Sequence, residues 1–125
     1  MTRRRASGVI IKDNRILMVR ITDKGKSWWC LPGGTIQPNE TPEQAISREL
    51  YEELNLQVKP GQRLYESLMP DEKGVDYGIL IDPPARKPSL GIDQAVVEWA
   101  WRPLEEIDDS WQVDQVRKAL TNKEA

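Results

Sequence analysis

The chain of 125 residues contains no histidine and no phenylalanine, and it has a single cysteine, Cys30. One cysteine excludes an intrachain disulfide and a zinc site made of several cysteines. The lack of histidine removes the commonest general base and the commonest metal ligand. Any metal ion that this chain binds must therefore be held by oxygen atoms. The net charge of -2 argues against broad electrostatic attachment to nucleic acid, and we expect no nucleic-acid partner.

Long apolar runs are also lacking. No stretch approaches the roughly 18 apolar residues that a membrane helix needs, and no apolar run of signal-peptide length follows residues 1–5. We therefore expect a cytoplasmic protein without a membrane partner. Basic residues cluster only at positions 3–5, and we interpret them as a solvated chain end rather than a phosphate-binding arm. The length predicts one domain spanning residues 1–125, and a homodimer is compatible with the sequence.

Turn signals and apolar patterns predict the order of strands and helices. Residues 8–21 are predicted to form a β-hairpin whose turn is Asp13-Asn14, because these residues tolerate the positive φ angles of a tight turn. Residues 63–69, 75–81 and 95–101 are predicted strands, and residues 111–120 a closing helix capped by Asp109 or Ser110. Strands on both sides of an early helix indicate an α+β fold, an α/β/α sandwich with a mixed β-sheet.

The clearest helix follows Thr41. Thr41 is the predicted N-cap, Pro42 occupies the first helical position, and Gln44 completes a capping box. Apolar residues then recur at the spacing of one buried face. Asn55 is predicted to end the helix, because asparagine is the next best residue after glycine in a left-handed terminating position.

Three glutamates of this helix, Glu49, Glu52 and Glu53, fall within one arc of roughly 100° beside the buried face. Like charges at these spacings repel one another and destabilise an isolated helix. A hard divalent ion would offset the repulsion, because Mg²⁺ prefers oxygen ligands. Arg48 can pair with Glu52, which lies four residues further on. From this helix alone, an ordinary solvated surface explains the charges equally well.

The spacing around the helix is more specific. Five residues separate Gly34 from Glu40, and a further seven separate Glu40 from Arg48, which opens the run of glutamates. The segment from Gly34 to Leu56 closely resembles the Nudix box of the Nudix hydrolase family, and residues 29–34 are similar to the sequence that often precedes the box. One position departs, because Asn55 stands where the family has glycine. We expect the helix end to tolerate this change.

The resemblance implies a Mg²⁺-dependent hydrolase, with Mn²⁺ as an alternative metal, which cleaves the diphosphate linkage of a small nucleotide. It assigns metal-binding carboxylates to Glu49 and Glu53. Glu52 is either a further ligand or the partner of Arg48. These four residues form the expected catalytic set.

The resemblance also assigns supporting roles around the helix. The backbone carbonyl of Gly33 is implied as another metal ligand, and Gly34 beside it is expected to support the site. Glu40 is expected to hold Arg48 and so the face of the helix. A favourable contact with the helix dipole would explain Glu40 as well.

Because histidine is absent, a carboxylate is the expected acceptor of the proton from the attacking water. The resemblance offers Glu49 or an acid outside the box, for which Glu98 and Asp93 are the candidates, although the sequence favours an ordinary surface acid for each. Trp28 is a candidate for flanking the substrate, and Arg20 and Glu98 are further substrate-binding candidates. Packing in the core or against a helix is expected for the other tryptophans, Trp29, Trp99, Trp101 and Trp111.

Three functions are compatible with this resemblance. The favoured one is a pyrophosphohydrolase acting on a nucleoside triphosphate, a modified nucleotide or ADP-ribose. Pro70, downstream of the box, is a weak marker for ADP-ribose and also suits a turn. The alternative is a non-catalytic module that binds a nucleotide or a protein as a sensor, but such modules usually lose the box glutamates. An enzyme like isopentenyl diphosphate isomerase is disfavoured, because no histidine accompanies Cys30.

Overall fold

The computed structural model describes the backbone of residues 3–124 and the side chains of residues 3–122. The elements in chain order are β1 (Arg3–Val9), β2 (Ile11–Lys12), β3 (Arg15–Asp23), β4 (Lys26–Cys30), β5 (Gly33–Thr35), α1 (Pro42–Leu54), β6 (Pro60–Leu68), β7 (Gly74–Ile81), β8 (Val96–Pro103), a short 3-10 helix (Leu104–Glu106) and α2 (Trp111–Glu124). Neither of the described α-helices is long and apolar enough to cross a membrane.

The strands form two four-stranded sheets. The first sheet has the order β5-β1-β7-β6, in which β1 and β7 run parallel and the other neighbours run antiparallel. In the second sheet, β3 pairs with β2, β4 and β8, always antiparallel. A mixed sheet together with two α-helices confirms the predicted α+β fold.

Two apolar clusters place one helix on each side of the sheets. Ile46 of α1 belongs to a buried cluster with Val19 of β3. Val113 of α2 belongs to another cluster with Met18 of β3. Adjacent residues of a strand point to opposite faces, so α1 and α2 cover opposite sides of β3. The layers are those of the predicted α/β/α sandwich.

Local signals account for the ends of α1 and for the hairpin turn. The hydroxyl of Thr41 accepts a hydrogen bond from the N–H of Gln44 at 3.1 Å, and the Gln44 side chain accepts one from the N–H of Thr41 at 2.9 Å. Asn55 ends the helix at φ 55° and ψ 33°, the left-handed conformation that the sequence predicts. Asp13 and Asn14 both have positive φ between β2 and β3.

Some element boundaries differ from the predictions. Residues 3–5, predicted to be a solvated chain end, begin β1, and Arg5 lies opposite Asp76 of β7. Apolar residues, the usual strand signal, start only at Ala6, which is why the arginine part of β1 was not predicted. Residues 33–35, for which no strand was predicted, form β5 and pair with β1. The strand β6 begins before residue 63, and α2 continues past residue 120.

Candidate active site

The carboxylates of Glu49, Glu53 and Asp93 come together at one side of α1. One oxygen of each lies within 4.8 Å of the others. Glu49 is 8% exposed and Glu53 only 2%, whereas Asp93 is partly exposed. Like charges this close and this poorly solvated repel one another, so this carboxylate group requires either a cation or bound protons.

The pKa values of Glu49 and Glu53 reflect this repulsion and poor solvation. Burial raises the pKa of Glu53 to about 8, and the charge of Glu49 adds to the effect, although the N–H of Gly33 opposes it by donating a hydrogen bond to Oε1 of Glu53 at 2.8 Å. Burial also raises the pKa of Glu49, against a hydrogen bond from Arg48. The protein alone therefore stabilises the charged forms poorly.

The donor atoms of this group fit a hard divalent ion. All three side chains offer carboxylate oxygens, which suit Mg²⁺ or Mn²⁺ better than softer metals. A divalent cation between them would also offset the mutual repulsion that contributes to the raised pKa values. The residues present therefore fit the metal that the Nudix resemblance implies.

Gly33 and Gly34 allow close backbone contacts beside these carboxylates. A Cβ on Gly34 would lie 2.5 Å from Oε1 of Glu49, so a side chain there would displace that carboxylate. A Cβ on Gly33 would lie 2.0 Å from the carbonyl oxygen of Ala6 on the neighbouring strand. Gly33 turns its N–H towards Glu53, and the role of its carbonyl as a metal ligand stays a prediction.

Arg48 holds three glutamates of the box, Glu40, Glu49 and Glu52, in place. Its guanidinium donates hydrogen bonds to Glu40 at 2.8 and 3.0 Å, to Glu49 at 2.9 Å, to Glu52 at 3.3 Å and to the carbonyl of Thr35 at 3.1 Å. The structure thus contains the expected contact between Glu40 and Arg48, which holds the pKa of Glu40 below its usual value. Glu52 is partly exposed and pairs with Arg48, whereas its role as a metal ligand stays a prediction.

The two acids considered outside the box lie in different places. Asp93 belongs to the carboxylate group, and its Oδ1 accepts a hydrogen bond from the N–H of Ala95 at 3.0 Å. Glu98 is exposed on β8 and forms an ion pair with Arg20 at 2.8 Å. Arg20 lies opposite Trp29 in the pairing of β3 with β4, so this ion pair shares a sheet face with Trp29. The structure therefore brings Asp93, and not Glu98, to the glutamates.

A cavity of about 520 Å³ lies beside the segment that joins β4 to β5. Trp28, a candidate for flanking a substrate, is 46% exposed and lines this cavity. Trp29 and Trp111 are expected to pack in the core or against a helix. Trp29 does pack against the buried cluster that contains Val113, and both tryptophans also line the cavity. Pro70 lies in the turn after β6 and also lines the cavity. A role in the turn and a contact with a ligand are therefore compatible. The sequence did not predict most of the residues that line this cavity, because they come from segments that are far apart in the chain.

Arg5 links the cavity to the carboxylate group. It lines the cavity and donates hydrogen bonds to Oγ of Ser7 at 3.1 Å and to the carbonyl of Leu31 at 3.0 Å. Its positive charge lowers the pKa of Glu53, in partial opposition to burial. Leu31 stands two residues before Gly33, which bonds to Glu53. The cavity and the carboxylate group are therefore adjacent.

A buried hydrogen-bonded network lies behind the cavity. Asp76 accepts hydrogen bonds from Ser7 at 2.7 Å, from Tyr65 at 2.6 Å and from Gln112 at 3.1 Å. Oε1 of Gln112 also accepts a hydrogen bond from the N–H of Leu31 at 3.0 Å. These bonds fix α2 against the segment that precedes Gly33. The side chain of Gln112 is consequently engaged by the protein on both its oxygen and its nitrogen.

Cys30 lines the same cavity but is a poor nucleophile. Burial raises the pKa of its thiol to about 11, although the nearby charge of Arg5 opposes the shift. A thiol with this pKa stays protonated near neutral pH, and the thiolate is the reactive form. The cavity therefore offers shape, aromatic faces and charge rather than a reactive sulfur.

The sequence profile of the NUDIX domain matches residues 1–122. This chain belongs to the NUDIX family. A MutT-like protein from Streptomyces ambofaciens is 33% identical to it over 93 residues, which are 74% of this chain and 56% of that protein. An ADP-ribose pyrophosphatase from Methanocaldococcus jannaschii is 40% identical over 70 residues, 54% of this chain and 41% of that protein. The chain thus matches about half the length of these curated relatives.

The fold is also that of solved NUDIX structures. The crystal structure of a MutT protein from Methanosarcina mazei Go1 matches with a TM-score of 0.80, covering 99% of this chain and 96% of that one. The two chains are 18% identical, so this likeness concerns the fold alone.

Proposed function

We propose that this NUDIX protein is a Mg²⁺-dependent pyrophosphohydrolase that cleaves the diphosphate linkage of a small nucleotide-type substrate. The observation that carries the proposal is the group of three carboxylates, Glu49, Glu53 and Asp93, next to a cavity with aromatic walls. The relative from Methanocaldococcus jannaschii, named as an ADP-ribose pyrophosphatase, supports the same class of reaction.

The carboxylate group would hold the metal, with Glu52 and the carbonyl of Gly33 as further proposed ligands. A divalent ion bound there would neutralise phosphate oxygens and make a water molecule more acidic. Arg48 keeps Glu49 and Glu52 in place through its hydrogen bonds, and Glu40 in turn fixes Arg48. Hydrogen bonds within the chain thus hold these carboxylates before any substrate arrives.

Asp93 is the proton acceptor that we propose outside the box. It is the least buried of the three carboxylates, so water can reach it. Its Oδ1 accepts a hydrogen bond from the N–H of Ala95 and has a second lone pair that could face the metal ion, which would leave Oδ2 to accept a proton. Glu98 is held in an exposed ion pair with Arg20. The water oxygen attacks one phosphorus, the anhydride bond to the bridging oxygen breaks, and one product is a nucleoside monophosphate.

The cavity fits the nucleoside part of such a substrate. Trp28, Trp29 and Trp111 offer aromatic faces on which a base can stack. Asp109 is exposed at the cavity, where its carboxylate can accept hydrogen bonds from amino or ring N–H groups. Arg5 lines the cavity and its positive charge acts on Glu53, so the phosphates would lie near it. A nucleoside triphosphate, a modified nucleotide and ADP-ribose each carry a base and phosphates, so each would suit this cavity.

A substrate panel tests the proposal. The purified protein is incubated with Mg²⁺ and with nucleoside triphosphates, nucleotide sugars, dinucleoside polyphosphates or ADP-ribose, and the products are separated by chromatography. We expect a nucleoside monophosphate from at least one class and no product when EDTA replaces Mg²⁺. If every compound stays intact while one binds tightly, the protein is a nucleotide sensor instead.

A further inference from the structure

Asp93 reaches the carboxylate group through a segment that lies along the end of α1. We name this segment, residues 89–93, the strap. The N–H groups of Ser89, Gly91 and Asp93 donate hydrogen bonds to the carbonyls of Leu54, Glu53 and Glu52 respectively, each at 3.0 Å. The last carbonyls of a helix have no partner within the helix. In this protein alternate residues of the strap supply the missing partners, and the third of them is Asp93 itself.

Gly91 permits the close contact in the middle of the strap. A Cβ at this position would lie 2.3 Å from the carbonyl oxygen of Glu52 and 2.9 Å from its carbonyl carbon. These are backbone atoms of α1, which cannot move aside without opening the helix. The strap therefore lies directly against the helix backbone, and its position is fixed relative to Glu49 and Glu53 on the same helix.

Asn55, the residue that follows α1, also holds the strap. Its Nδ2 donates to Oγ of Ser89 at 3.0 Å and to the carbonyl of Leu90 at 3.1 Å, with the carbonyl of Ser89 at 3.4 Å. Its backbone meanwhile ends α1 in the left-handed conformation. A glycine at this position would end the helix equally well or better, but it has no side chain to bond the strap.

We propose that Asn55 is a positioning residue for Asp93: its side-chain amide holds the strap on the end of α1 and so keeps the Asp93 carboxylate beside those of Glu49 and Glu53. This inference rests on the proposed metal site, and it concerns the one position where this chain departs from the Nudix box. The replacement of glycine by asparagine adds a link between the box helix and the acid outside the box.

The test compares Asn55→Gly with a matched control, Asn14→Gly. Both asparagines have positive φ, but Asn14 lies in the hairpin turn before β3, where its exposed side chain makes no hydrogen bond to the strap. Two readouts are used: amide hydrogen exchange of Ser89, Gly91 and Asp93 measured by NMR, and the affinity for Mn²⁺ alone measured by calorimetry. Circular dichroism verifies that each variant is folded.

We expect Asn55→Gly to accelerate exchange of the three strap amides and to weaken Mn²⁺ binding about three- to tenfold, the range for one lost hydrogen bond. Asn14→Gly should change neither readout. In an Asp93→Asn background, Asn55→Gly should no longer alter Mn²⁺ affinity, because the group that it positions is gone.

Strap exchange rates in Asn55→Gly equal to those of the original protein would overturn the inference. Faster exchange with unchanged Mn²⁺ affinity would overturn it as well, since the strap would then move without consequence for the site. If the unaltered protein binds no Mn²⁺, the proposed metal site itself fails, and the inference fails with it. That result differs from the others because it appears before any substitution is made.

Discussion

The carboxylate group and the cavity are adjacent, but they are built in different ways. Two of the three carboxylates come from neighbouring turns of one helix, and they are buried and held by hydrogen bonds. The cavity is open, and its wall is assembled from β1, β4, the turn after β6 and the start of α2. If the proposed function holds, the chemistry would depend mainly on carboxylates of one helix, whereas substrate choice would depend on side chains that distant segments bring together.

Removing one buried carboxylate should have the largest effect. Glu53→Gln keeps the volume of the side chain but removes a charge that the metal needs, so we expect kcat/KM to fall about 100- to 10,000-fold. The measurement is steady-state turnover of the substrate identified by the panel. Glu105→Gln, which alters an exposed acid of the 3-10 helix, is the control and should retain full activity. Full activity of Glu53→Gln would break the assignment of chemistry to the carboxylate group.

Substitutions of the two acids outside the box, Asp93 and Glu98, should have unequal effects. Asp93→Asn should lower kcat about 10- to 1,000-fold, because this carboxylate lies with the glutamates. Glu98→Gln breaks an exposed ion pair with Arg20, and such pairs contribute about 0–1 kcal/mol, so kcat should change little. Both rates are measured at saturating substrate. A larger loss for Glu98→Gln than for Asp93→Asn would reverse the assignment.

Helical spacing predicted that Glu49, Glu52 and Glu53 share one face of α1, because this spacing depends on local geometry alone. Their assignment to a metal site came from the resemblance to the Nudix box. The sequence also predicted both ends of that helix from Thr41 and Asn55. It did not indicate which of Asp93 and Glu98 lies beside the glutamates, because hydrogen bonds between the strap and the end of α1 bring Asp93 there. It missed Arg5 because the parallel pairing of β1 with β7 joins segments that are far apart in the chain.

Substitution of a residue that lines the cavity should affect substrate binding more than the chemical step. Trp28→Ala removes an aromatic face, and we expect KM to rise about 5- to 50-fold with a smaller change in kcat, since stacking of a base contributes about 1–3 kcal/mol. Tyr51→Ala, which removes another exposed aromatic residue away from the cavity, is the control and should leave KM unchanged. A fall in kcat with no change in KM would place Trp28 with the chemistry instead.

The smallest expected effect concerns stability without metal. The pKa of Glu53 is about 8 in the folded protein, against an ordinary value of 4.5, and the pKa of Glu49 is raised as well. Below pH 4.5 both the folded and the unfolded chain hold the Glu53 proton. Between about pH 5 and 8 the unfolded chain releases this proton while the folded chain keeps it, so stability falls as the pH rises through this window.

Thermal unfolding in EDTA measures this dependence. We expect Tm to drop by about 5 °C or more between pH 5 and pH 8 and to recover on addition of Mg²⁺. Glu53→Gln should flatten the dependence. A Tm that is constant or rises over this window would show that the buried carboxylates are stabilised by the protein alone.

Crystals of the protein soaked in Mn²⁺ test the central claim most directly, because anomalous scattering locates the ion without reference to activity. The account predicts an anomalous peak in contact with carboxylate oxygens of Glu49, Glu53 and Asp93. A saturating soak that leaves these three carboxylates without a peak, or that places Mn²⁺ only on exposed acids elsewhere, would contradict it.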